Sequence, residues 1–75
     1  MKKTNIKKIA QAREVIEKAK ELIDTILEDE QDAYESKSEA WQESERGEAA
    51  EEMLEYLEEA SESLDETIEN LSNIE

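Results

Sequence analysis

Apolar residues recur at steps of three and four through two long stretches of this 75-residue chain, and the rhythm fails once between them. The first stretch runs Ile6, Ile9, Ala12, Ile16, Ala19, Ile23 and Ile26, with Val15, Leu22, Leu27 and Tyr34 beside it. The second runs Ala50, Met53, Leu57, Ala60, Leu64, Thr67, Leu71 and Ile74, flanked by Leu54 and Ile68. A repeat of about 3.5 residues lines one face of a helix and no face of a strand. Two amphipathic helices are therefore expected, about residues 5–35 and 44–73, in an all-α chain. Ile9, Ile16, Ile23, Ile26, Met53, Leu57, Leu64 and Leu71 are the candidate seam and oligomer residues.

That periodicity decides against disorder, which composition alone would allow: 43% of residues are charged, and 9 Lys and Arg against 23 Asp and Glu leave a net charge of −14. Composition also removes whole classes of function. With neither His nor Cys there is no imidazole base, thiolate nucleophile, disulfide or zinc site of the usual ligands. The negative charge repels a phosphate backbone, so direct nucleic-acid binding is not expected. No unbroken apolar run resembles a secretory signal or a membrane span, and a cytoplasmic protein with no membrane contact is the expectation. A chain this short forms one domain, residues 1–75.

The break falls at residues 36–47, a Ser-rich segment holding the single Gly. Ser36 with Glu39 fits a capping box, and Ser44 fits a second cap before an acidic first turn. A one-turn helix around Glu39–Gln42 is expected between two joints. Two helices of about 30 residues each reach about 45 Å, and the short joint folds them into an antiparallel hairpin.

Charge favours that topology. Residues 1–20 carry seven positive and two negative side chains, net +5, while residues 56–75 carry seven negative and no positive ones, net −7. Doubling back sets these segments together and leaves residues 21–55, with two positive and fourteen negative side chains, as a turn end of net −12. One hairpin buries little, since cores below about 70–80 residues seldom supply more than 3–5 kcal/mol. The width of the apolar stripes predicts a homodimer forming a four-helix bundle, or a partner protein in its place.

Acidic motifs match by chance in such a chain. Glu51, Glu52 and Glu55 followed by Glu62 and Asp65 resemble the magnesium-binding carboxylates of all-α nucleotide pyrophosphohydrolases. Both pairs would lie on one helix, however, and could not enclose a metal. Asp29–Asp32 lacks the ligand spacing and central Gly of a calcium loop. A di-iron bundle needs His, and paired glycosidase carboxylates need a desolvating cleft. No catalytic, metal or cofactor residue is expected, and the chain does not read as an enzyme. Tyr34 and Trp41 bracket the joint. Trp41 is expected to fold over the open end onto Leu27, Ala33 or Met53, or to serve as an anchor for a partner, since Trp and Tyr are common interface hot spots. Tyr56 is read as a dimer or core-edge contact.

Glu28–Tyr34 (EDEQDAY) and Glu39–Glu48 (EAWQESERGE) resemble the centre of a group of short acidic proteins encoded by bacteriophages and prophages. Those read approximately DEEQEAY, PESLQ and SERGE before a Glu-rich amphipathic helix. Ser38 stands where their pattern has Pro, and Trp41 where it has Leu. The group has no settled activity, so the resemblance implies a phage setting and a host-cell cytoplasm. The function expected from charge is a binding inhibitor whose acidic turn fills the basic groove of a host nucleic-acid-handling or defence protein, as a nucleic-acid mimic. The residues assigned to that surface are Glu28, Asp29, Glu30, Asp32, Glu35, Glu39, Glu43, Glu45 and Glu48, with Tyr34 and Trp41 as apolar anchors. The alternative is a structural module that only oligomerises.

Overall fold

In a computed structural model that describes residues 1–74, the chain forms three helices: α1 (Lys3–Glu35), α2 (Glu39–Glu43) and α3 (Glu45–Ser72). No strand occurs among the described residues. α1 and α3 lie side by side and antiparallel in a rod of 57 × 14 × 13 Å, with both termini at one end and α2 at the other. The expected hairpin and its one-turn joint helix are both present.

Three cross-helix pairs fix the register. The Arg13 guanidinium donates to the Ser72 hydroxyl at 3.4 Å. Lys20 lies 3.6 Å from Asp65, and the Ser61 hydroxyl donates to Asp24. Each step forward on α1 is matched by an equal step back on α3, as parallel-sided antiparallel packing requires.

The seam differs from the expected one. On α1 it runs through Ile6, Ile9, Arg13, Ile16, Lys20, Ile23 and Leu27 to Tyr34, and on α3 through Gly47, Ala50, Leu54, Leu57, Ser61, Leu64, Ile68 and Leu71. Ile9, Ile16, Ile23, Leu57, Leu64 and Leu71 sit on it as expected, half-buried. Ile26 and Met53 do not: both are exposed, and their neighbours Leu27 and Leu54 take the inward positions. The contact line thus keeps alternate members of the expected stripe and takes the next residue in place of the others, as Leu27 for Ile26 and Leu54 for Met53. The hairpin leaves its own interior thin. Leu54, at 9% exposure, is the one buried apolar side chain among the described residues.

The joint is tighter than the sequence suggested. Ser36 does not open α2; its N–H still bonds to Asp32 O as the C-cap of α1, and its hydroxyl donates to Ala33 O at 2.8 Å. Ser38 is the N-cap, accepting from the Trp41 N–H at 3.2 Å. Ser44 alone separates α2 from α3, and caps the latter by accepting from the Gly47 N–H at 3.3 Å, as expected. Gly47 is buried against α2, and a Cβ there would overlap the backbone carbonyls of Trp41 and Gln42. The single glycine is a packing requirement of the turn, with ordinary helical geometry.

Candidate functional site

Helical geometry sorts the exposed side chains by their position relative to the seam. A residue just before a seam residue is turned by 100° to one side, and a residue just after it by 100° to the other. Reversing a helix axis also reverses the sense of that turn, so in an antiparallel pair the preceding residues of both helices share one face of the hairpin. The following residues share the opposite face.

The following residues are overwhelmingly acidic. On α3 they are Glu48, Glu51, Glu55, Glu58, Glu62, Asp65 and Glu69, followed by Ser72. On α1 they include Glu14, Glu17, Glu21, Asp24, Glu28 and Glu35, with Gln31 among them and Lys3 and Lys7 near the termini. All but the half-buried Asp24 are exposed. Two ranks of carboxylates therefore run along one side of the rod.

The preceding residues are nearly free of charge. From Ala49 to the end of α3 they are Ala49, Met53, Tyr56, Ala60, Ser63, Thr67 and Asn70. On α1 they are Asn5, Lys8, Ala12, Val15, Ala19, Leu22, Ile26, Asp29 and Ala33, in which Lys8 and Asp29 are the charged members. Val15, Leu22 and Tyr56 on this side are 66%, 67% and 65% exposed. The rod is divided lengthwise into an acidic face and a neutral one.

Near the joint the acidic face holds a groove of about 270 Å³ lined by Gln31, Tyr34, Glu35, Glu51, Leu54, Glu55 and Glu58. The Tyr34 ring and the Leu54 side chain contribute apolar surface, and four carboxylates surround it. Behind it the aromatic pair is locked. Tyr34 and Trp41 meet edge to face, with ring centroids 6.2 Å apart and planes at 66°. The Lys37 ammonium lies 5.4 Å from the Trp41 centroid, within range of a cation–π attraction. The Gln42 amide donates to Tyr34 O at 3.1 Å, which also accepts from the Lys37 N–H, and to Lys37 O at 3.2 Å, tying α2 to the end of α1. Trp41 is half-buried, and its ring contact is with Tyr34 of its own joint.

The acidic residues expected at the turn all lie at the joint end of the rod, but on different faces. Glu28, Glu35 and Glu48 stand on the acidic face, and Asp32 and Glu45 on the outer edges of their helices. Glu39 and Glu43 belong to α2. Asp29 points to the neutral face, and Glu30 lies on the seam line at its exposed end. The surface that sequence reasoning missed is the run from Glu51 to Glu69 with Glu14, Glu17 and Glu21 facing it. Sorting residues by position after each seam residue would have found it.

Lys20 and Asp24 form the one strongly coupled charge pair among the described residues, 2.6 Å apart. The Lys20 hydrogen bond, and then that of Ser61, holds the Asp24 carboxyl below its ordinary 3.8. The bond to Asp24 likewise raises the Lys20 ammonium above 10.5, against a smaller opposing effect of desolvation and with help from Asp65. No helix among the described residues is long and apolar enough to cross a membrane, and no three carboxylates among them converge as a metal would need. No family model, curated protein or solved structure matches the chain.

Proposed function

We propose that the chain is a binding protein whose acidic face occupies the basic, nucleic-acid-binding surface of a host protein and blocks it. The observation that carries this reading is the unbroken carboxylate face with its groove. Between Glu45 and Glu69, α3 as a whole carries eleven carboxylates over 24 residue steps, about 36 Å, or one per about 3.3 Å; seven stand on this face and Glu45, Glu52, Glu59 and Glu66 on the outer edge of the helix. One strand of duplex DNA carries a charge per about 3.4 Å, so the helix presents a comparable linear charge to a basic groove. An arginine fits the recess at Tyr34 and Leu54, where a planar guanidinium stacks on the ring while Glu35, Glu51, Glu55 and Glu58 supply acceptors. The resemblance of the central segment to phage proteins suits a target in the host cytoplasm. The proposal assigns no catalytic step and no cofactor.

The test compares capture of nucleic-acid-binding proteins from a bacterial lysate by two variants. One neutralises Glu51, Glu55, Glu58 and Glu62 as Gln; the other neutralises Glu30, Asp32, Glu39 and Glu43, outside the groove, as Gln or Asn. Capture that is displaced by duplex DNA and lost in the first variant, with helicity and mass unchanged, supports the acidic face. Loss in the second variant alone returns the site to the turn. Capture indifferent to both removes mimicry and leaves the second reading, a module that only oligomerises. The exposed neutral face favours a part of that second reading, and we include a homodimeric four-helix bundle in the proposal.

A further inference from the structure

The apolar stripe most evident in the sequence points only in part at the line where α1 and α3 touch. Ile9, Ile16 and Ile23 of that stripe sit on the seam, but Ala12, Ala19 and Ile26 stand on the neutral face, and on α3 Leu57 and Leu64 alternate in the same way with Met53 and Ala60. The seam itself admits Arg13, Lys20 and Ser61. In a four-helix bundle each helix directs its apolar stripe between its two neighbours, toward the common axis. The hairpin is therefore built to have something laid on its neutral face. That face runs the 57 Å length of the rod.

We infer that a second copy covers it with its turn at the opposite end, so that the two α1 helices lie antiparallel across a two-fold axis near Ala19. This rests on the bundle reading above and adds the arrangement. The neutral stripe of α1 is symmetric about Ala19: Val15 meets Leu22 of the second copy, and Ala12 meets Ile26. The two charges that interrupt it, Lys8 and Asp29, fall opposite each other with opposite sign, twice. Residues 1–20, net +5, then lie against residues 21–35, which hold seven carboxylates and no cation. By the register between α1 and α3 the same axis crosses α3 near Glu66, so Thr67 lies beside its own copy and Ser63 meets Asn70 of the second copy. Turning the copy so that both joints share an end would instead set two net −12 segments side by side.

The chain has no Cys, so introduced thiols report the geometry cleanly. Equilibrium sedimentation is expected to give two chains, 2 × 8.7 = 17.4 kDa. Mild oxidation of Ala19→Cys should link the copies with helicity retained. Val15→Cys should not link, because the two-fold separates its copies by about seven residues, or about 10 Å. Lys8→Asp should weaken dimerisation by about tenfold, and adding Asp29→Lys in the same chain should restore it. A helical single chain of 8.7 kDa overturns both the bundle and this arrangement. A two-chain mass with no link at Ala19 and no restoration by the charge swap overturns the arrangement and leaves the bundle. A mass of three or more chains overturns both.

Discussion

The Ser61 hydroxyl of α3 donates to the Asp24 carboxylate of α1, and Lys20 holds the same carboxylate from one turn earlier. Lys20 and Ser61 interrupt the apolar seam itself, Asp24 stands at its edge, and Asp65 extends the cluster across it. Sliding one helix past the other by a turn would part Ser61 from Asp24 and Lys20 from Asp65. The polar cluster thus sets register where aliphatic contacts alone would tolerate several.

The pH dependence of this cluster has a definite sign. The native Asp24 pKa is lowered, so its stabilisation is present above the unfolded value and is lost as pH falls through the native one, below 3.8. The native Lys20 pKa is raised, so its share is present below 10.5 and is lost as pH rises through the higher native value. In urea titrations, Asp24→Asn should be less stable than the parent by a constant margin from about pH 5 to 9, with the margin closing at both extremes. A margin that ignores pH would mean the pair does not act as a pair.

Gly47→Ala tests the joint through opposed effects. Helix propensity alone favours Ala by about 1 kcal/mol. The added Cβ overlaps the backbone of Trp41 and Gln42, which cannot swing aside as a side-chain tip could. The net result should be a loss of about 1–3 kcal/mol in thermal or urea unfolding. A gain in stability would show that α2 yields freely.

The two serines at the start of the joint are distinguishable. Ser38→Ala removes the cap that receives the Trp41 N–H and should cost about 1 kcal/mol. Ser36→Ala removes a back-bond to Ala33 O within the end of α1, and such bonds add little, so its cost should be smaller. Trp41, the single tryptophan, reports both: near-ultraviolet dichroism should weaken in Ser38→Ala more than in Ser36→Ala.

Salt should act in two opposite directions. Screening relieves repulsion within the carboxylate ranks, so the melting temperature should rise between low and moderate salt. Attraction to a basic target is screened by the same ions, so capture should fall over that range. A melting temperature that drops with salt would mean favourable ion pairs outweigh the repulsion along α3.

The helices, the hairpin and the Ser44 cap were legible in the sequence because each rests on local periodicity or on a residue beside its own helix end. The position of the seam was not. Ile26 and Leu27, or Met53 and Leu54, are adjacent and equally apolar, and only the partner helix decides which turns inward. Ser36 and Ser38 pose the same ambiguity at the joint: each could cap a helix three residues on, and α1 resolves it by ending at Glu35 as expected and keeping Ser36 as its own C-cap. The acidic face was obscured for a related reason. Counted along the chain, the carboxylates crowd toward the middle; only the helical rotation about a correctly placed seam separates them into a flank.

Lengthwise division of the rod means that crowding on one flank leaves the other untouched. A copy seated on the neutral side obstructs none of the carboxylates of the acidic face, and a pair joined that way faces those two ranks outward, back to back. Such a pair would meet two targets at once, like a template printed on both sides, and would hold them a fixed bundle-width apart.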